Sequence, residues 1–233
     1  MDLHFAWLKL VGIMNKRKYS CPNDNYWLGG NKMKQARVLS EKELNLLLLY
    51  VATRKYAARD RAMVLMTFWG GMRIGETVST KILNVLNVDG TIKQELHLTA
   101  EQTKGRFGRT VVLSEKLRKE LHSYLQQRFN TKDLATVAYT EDMSKALFAT
   151  QKRQDKGFSP NTGAYHLHML YRAAGLDGCS SHSGRRFFAT AISAKGAAIK
   201  TIMELMGHRQ MATTARYLFV TPDMKKEGVR IFV

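Results

Sequence analysis

Acidic residues, cysteines and long apolar runs are all scarce in this chain. Its 233 residues hold 19 Asp and Glu against 37 Lys and Arg, a net charge of +18. That much positive charge repels itself unless a polyanion neutralises it, which makes nucleic acid the first partner to consider and an anionic membrane surface the second. Two cysteines, Cys21 and Cys179, make neither a disulfide framework nor a C-x-x-C pair, so a reducing, cytoplasmic setting is expected. The apolar run at residues 44–52 is about half the length that spans a bilayer. A second run, residues 3–14, is broken by Lys9 and followed by Lys16, Arg17 and Lys18, which puts the charge on the wrong side for a signal peptide. A soluble protein with no membrane partner is expected. No G-x-x-x-x-G-K-[ST] loop is present, so no ATP is expected. The shortage of acids argues against a two-metal nuclease, which needs several convergent carboxylates. The histidines do not offer a metal shell either: His166 and His168, two apart on a helix, diverge by roughly 200°. No metal site is expected.

What is present suffices for one sizeable core, with 45% hydrophobic residues in a length typical of one main domain. Residues 1–36 carry six Lys or Arg and end near Gly29-Gly30-Asn31; they read as a basic N-terminal arm rather than a domain. At Ser40 the pattern becomes Ser-Glu-Lys-Glu followed by Leu44, Leu47, Leu48 and Val51, a capping box opening an amphipathic helix. A second helix over residues 59–69 ends at Gly70-Gly71, and Arg73 enters a short helix carrying Glu76. Residues 91–98 alternate apolar and polar, and residues 110–113 are largely β-branched, which predicts a hairpin with Lys104, Arg106 and Arg109 at a basic tip. Helices are predicted over 114–129, over 160–174 with Ser159 as cap and Pro160 at the first position, over 181–194, over 199–206, and in a short piece through Tyr217. Residues 37–220 form the predicted catalytic unit, and 221–233 a tail whose 228–233 segment reads as a strand. The expected fold is α+β, mostly helical, with a small antiparallel sheet.

Several basic and hydroxyl groups in these segments suit phosphodiester chemistry, which poses three problems. The anionic phosphate must be held, a nucleophile must be activated, and the departing sugar oxygen needs a proton. Arginine meets the first, because its guanidinium stays charged and donates two parallel hydrogen bonds to phosphate oxygens. Arg73 and Arg185 are the candidates, with Glu76 three residues after Arg73 as an orienting carboxylate. His182, three residues before Arg185, converges on the same phosphate. Arg186 points about 100° away from Arg185 on the helix, toward DNA backbone or packing. Tyr217 meets the second problem as a covalent nucleophile. A free phenol is only about 0.1% ionised at pH 7, a handicap of about 4 kcal/mol, so it needs nearby positive charge or a base. His208, after the helix-ending Gly207, lies nine residues before it. Lys104 suits the third problem as a general acid. Arg106 and Arg109, poor proton donors, read as phosphate clamps, and Arg209 joins them as a DNA contact. Taken singly, each Arg reads better as a solvated surface charge and Tyr217 as a core aromatic; the combination reverses that.

The set Arg73 in GGMRIGE, Lys104, His182 and Arg185 in HSGRRFFAT, His208 in LMGHR and Tyr217 in TTARYLF resembles the catalytic domain of the tyrosine recombinases, or phage integrases. Arg186 stands where that family often has His, and Gly75 where Ser is frequent. The resemblance implies site-specific recombination of double-stranded DNA by a bacterial or phage-encoded protein. Tyr217 would form a 3′-phosphotyrosyl link, strands would exchange through a Holliday junction, and no cofactor would be needed because the bond energy stays in the phosphotyrosine. It also implies a homotetramer on DNA, an accessory DNA-bending protein as a further partner, and a C-terminal tail docking on a neighbouring protomer. Family members carry a helical core-binding domain ahead of the catalytic one, which 36 residues cannot form; a minimal recombinase like the small fimbrial invertases, or a piece that depends on a partner, is expected. Two other readings stand beside it: a type IB topoisomerase, and a DNA-binding regulator that cleaves nothing.

Overall fold

The computed structural model describes residues 36–103, 107–151, 156–218, 220 and 222–230. The basic arm up to residue 35, Lys104, Arg106 and residues 231–233 lie outside them. In chain order the elements are α1 Glu41–Ala52, α2 Ala57–Trp69, α3 Ile74–Ser79, α4 Ile82–Val85, β1 Glu95–Leu98, β2 Arg109–Val112, α5 Glu115–Phe129, α6 Leu134–Thr140, α7 Pro160–Ala173, α8 Ser183–Ala194, α9 Ile199–Met206, α10 Met211–Ala215 and α11 Pro222–Val229. The fold is mostly helical, with one two-stranded antiparallel sheet.

Local chemistry sets the starts of these helices. Ser40 Oγ accepts from the Glu43 N–H while the Glu43 carboxylate accepts from the Ser40 N–H, the reciprocal box read in the sequence. Ser114 and Ser159 cap α5 and α7 more simply, their hydroxyls accepting from the Leu117 and Thr162 N–H groups, and Pro160 sits in the first turn of α7, where no N–H is needed. The apolar face of α1, Leu44, Leu47, Leu48 and Val51, turns inward. Helix α2 is the hub: residues 62–68 are all buried, and it packs against α1, α3, α5 and α8. A helix apolar on all sides belongs at the centre of a bundle.

Helix α8 comes close to this hub because residue 184 has no side chain. A Cβ on Gly184 would sit 2.3 Å from Thr67 Oγ1 and 2.7 Å from Phe68 Cδ2 of α2. Gly184→Ala is expected to cost about 1–3 kcal/mol, several degrees in Tm by calorimetry, because α8 must move away. By contrast, Gly75→Ala meets only Pro160 at ordinary contact distance and is expected to be neutral or stabilising, since Ala is the better helix former.

The hairpin pairs Leu96 with Val111 and Leu98 with Arg109, burying Leu96, Leu98 and Val111. A second, smaller core gathers Ala189, Ile202 and Met206, with Phe188, Ile192, Ala197, Tyr217 and Leu218 packed against it. Two expectations are corrected. Residues 222–229 are a helix, so the strand expected from residue 228 does not start there; Pro222 opens α11 instead of only ending its predecessor, and Lys225, Lys226 and Glu227 favour helix. Helix α6 was not anticipated, although Asp133 caps it by accepting from the Ala135 N–H at 3.0 Å. The short helix expected through Tyr217 ends at Ala215, with Tyr217 in the following turn.

Candidate active site

Arg73 is the cap residue of α3, outside its first turn. Glu76, three residues on and 1% exposed, reaches back: Oε2 accepts from the Arg73 N–H at 2.8 Å and Oε1 from its Nη1 at 2.7 Å. The orienting contact expected from the spacing forms because the Glu76 carboxylate accepts from both the N–H and the guanidinium of the cap residue, rather than across one helix face. Arg109 grips the same carboxylate, with Nη2 donating to Oε2 at 2.7 Å and Nε to Oε1 at 3.3 Å. Burial pushes the Glu76 carboxyl up, but the Arg109 hydrogen bond and charge, the Arg185 charge and the Arg73 N–H together hold it below the ordinary 4.5.

Arg109 is therefore not a clamp at the hairpin tip. It lies in β2, its side chain 9% exposed, and its Nη1 donates to the Leu205 carbonyl at 2.8 Å. Strand alternation explains this: residues 109 and 111 share a face, and Val111 is buried.

Arg185 has no exposed surface. Its Nη1 donates to the Gly71 carbonyl, and its Nη2 to the Met206 carbonyl and to His208 Nε2, the last at 3.0 Å. Gly71 permits this because its φ of +58 suits glycine and a Cβ there would strike Phe188 at 2.4 Å. Burial, followed by the charges of Arg73 and Arg109, pulls the Arg185 guanidinium down to about 9, against the pull of Glu76 and Tyr217. It stays protonated at neutral pH. A cation buried among cations with a single shared carboxylate favours a further anion.

Arg185 fixes the state of His208. Guanidinium donates only, so His208 Nε2 accepts, and Nδ1 carries the proton toward Thr214 Oγ1 at 3.0 Å. Burial first, then Arg185, Arg73 and Arg109, pull the imidazole from 6.5 down to about 4. Thr214, fully buried, was absent from the sequence reading; its one signal is its place three residues before Tyr217. A histidine depressed in the fold contributes stability that is complete above the unfolded value and lost as pH falls from 6.5 through about 4. Thermal melts between pH 7 and 5.5 are expected to show a loss of stability in wild type that is smaller in His208→Gln.

Tyr217 closes the group. Its hydroxyl lies 3.5 Å from His182 Nδ1, its ring centroid 5.0 Å from that of His208 and 5.7 Å from the Arg185 guanidinium carbon. His182 is exposed at the start of α8, while Arg185, one turn in, is buried. The structure thus brings His182, Arg185, His208 and Tyr217 together, with Arg73 coupled through Glu76 and Gly71. Arg209 is exposed and lies over the Phe107 ring at 3.4 Å. Arg186 is packed instead of surface-exposed: it is 9% exposed and donates to the Ala36 carbonyl at 2.9 Å. His166 Nε2 donates to the Asp60 carboxylate at 2.9 Å. Among the described residues, no group of three or more His, Cys, Asp or Glu could hold a metal ion, and no helix is long and apolar enough to cross a membrane.

Residues 37–223 match the model of the phage integrase family. The chain belongs to that family. Among related phage integrase family proteins, the tyrosine recombinase XerA of Pyrococcus furiosus is 32% identical over 192 residues, covering 82% of this chain and 60% of that protein. The tyrosine recombinase XerC of Leptospira interrogans is 30% identical over 173 residues, covering 74% and 50%. The crystal structure of XerA recombinase superposes with a TM-score of 0.66 at 25% identity, over 84% of this chain and 65% of that one. The chain thus spans between half and two thirds of the length of these family relatives. At 20% identity, the XerH recombinase bound to palindromic difH substrate shares the fold, with a TM-score of 0.63 over 88% of this chain and 54% of that one.

Proposed function

We propose that this chain is the catalytic part of a site-specific DNA recombinase that cleaves and rejoins DNA through a 3′-phosphotyrosine at Tyr217. The observation that carries the reading is the convergence of His182, Arg185 and His208 on the Tyr217 hydroxyl and ring. Arg185 and Arg73 take the non-bridging phosphate oxygens and stabilise the charge of the five-coordinate transition state. The Tyr217 oxygen bonds to phosphorus as its proton leaves toward His182, and the bond from phosphorus to the 5′ oxygen breaks. Lys104 is assigned to protonate that oxygen. Attack by a partner strand's 5′ hydroxyl on the phosphotyrosine reverses these steps, so strand exchange needs no external energy source. The XerH structure holds its palindromic difH substrate and the Tn1549 integrase structure holds transposon right end DNA, which together with the +18 charge supports DNA as substrate. A homotetramer on DNA with an accessory bending protein, an N-terminal arm at 1–36, a catalytic unit at 37–220 and a docking tail at 221–233 complete the proposal.

The test is to denature the protein on a library of nicked duplexes, recover the covalently trapped DNA and sequence it. A recurrent sequence is the expected result; binding without any trapped DNA would leave a non-cleaving DNA-binding protein. Trapped DNA without sequence preference, accompanied by relaxation of supercoiled plasmid, would point to a topoisomerase.

A further inference from the structure

We propose that Arg109 is a positioning residue, a latch that holds the β1–β2 hairpin and the Arg73–Glu76 pair in register with the end of α9. This one residue joins three segments. The backbone belongs to β2, Nε and Nη2 clasp the Glu76 carboxylate, and Nη1 binds the Leu205 carbonyl. To get there it runs across the bare Cα of Gly207, where a Cβ would meet Arg109 Cδ at 2.4 Å. Gly207 therefore has two duties: its φ of +60 ends α9, and its missing side chain makes the channel for Arg109.

The place of the latch explains what it controls. Leu205 is one residue before Met206, whose carbonyl holds Arg185, and three before His208, which Arg185 also holds. Glu76, at the other end, holds both the N–H and the guanidinium of Arg73. The two candidate phosphate-binding arginines are thus tied to each other through Arg109, and both are tied to the strand that leads back to the hairpin tip.

The catalytic consequence rests on the recombinase reading, whereas the latch itself is testable without DNA. In hydrogen exchange of the free protein, Arg109→Gln is expected to speed exchange in peptides covering residues 95–98, 109–112 and 73–76 by about ten-fold or more, with α5 unchanged. Arg109→Lys, which keeps a donor but not the fork, is expected to fall between. On a nicked duplex bearing the trapped sequence, Arg109→Gln is expected to lower the single-turnover rate of adduct formation by about 30-fold while DNA affinity stays within about 3-fold, with partial recovery in Arg109→Lys. Unchanged exchange in the hairpin would overturn the latch. Parallel loss of affinity and cleavage with unchanged exchange would return Arg109 to direct DNA contact. If wild type forms no adduct on any duplex while Arg109→Gln still loosens the hairpin, the recombinase reading fails and the latch stands.

Discussion

On the proposed reading, Tyr217→Phe is expected to abolish covalent adduct formation on a nicked duplex, a drop on the order of 10⁵-fold or more, because no other group replaces a lost covalent nucleophile. The change removes one oxygen and little else. The ring keeps its packing on the small core of Ala189, Ile202 and Met206 and its contact with the His208 ring. The hydroxyl's contact in the structure, His182 Nδ1, lies at the outer edge of hydrogen-bond distance, 3.5 Å. Stability is therefore expected to stay within about 0.5 kcal/mol of wild type, and DNA affinity by gel shift within about 3-fold. An adduct of undiminished yield in the Phe protein would assign the nucleophile elsewhere. Equal loss of binding and cleavage would make Tyr217 a binding residue.

Arg185→Met is expected to lower the adduct rate by about 10³-fold, the scale on which a single preorganised donor to a developing negative charge acts. Its effect on stability is set by opposing contributions. Losing the guanidinium strands the Gly71 and Met206 carbonyls, at about 1–3 kcal/mol for each buried group left unpaired. Against this, a fully buried cation no longer faces Arg73 and Arg109, and replacing buried charge by an apolar chain of similar size is often neutral or favourable. The expected net is a Tm within a few degrees of wild type beside a near-complete loss of cleavage. Arg185→Lys is not a rescue, since a single ammonium cannot reach two carbonyls and an imidazole together. Cleavage within ten-fold of wild type in Arg185→Met would show that Arg185 holds the fold and not the phosphate.

The elements that were legible in the sequence have local causes. Ser40 and Glu43 announce α1 because a capping box lies within four residues, and the hairpin follows from alternation over residues 95–98 and 109–112. The cluster of His182, Arg185, His208 and Tyr217 was legible as a set of residue types at fixed spacing. What was not legible depends on contacts between distant segments. Nothing near Gly184 marks it as the point where α8 meets α2, since the reason lies in Thr67 and Phe68. Arg109 carried a usable signal, its two-residue step from buried Val111, but its charge suggested the surface, and its partner Glu76 is 33 residues away. Helix α11 was misread because residues 228–233 look strand-like, while the helix is set by what precedes them.

The small core behind Tyr217 gives the site two packing environments instead of one. Arg73, Glu76 and Arg185 are anchored to the large core through α2, α3 and the start of α8, whereas Tyr217 rests on three fully buried side chains of α8 and α9. On the proposed reading, the side chains that would hold the phosphate and the one that would attack it are therefore backed by different cores, joined where Arg185 binds the Met206 carbonyl.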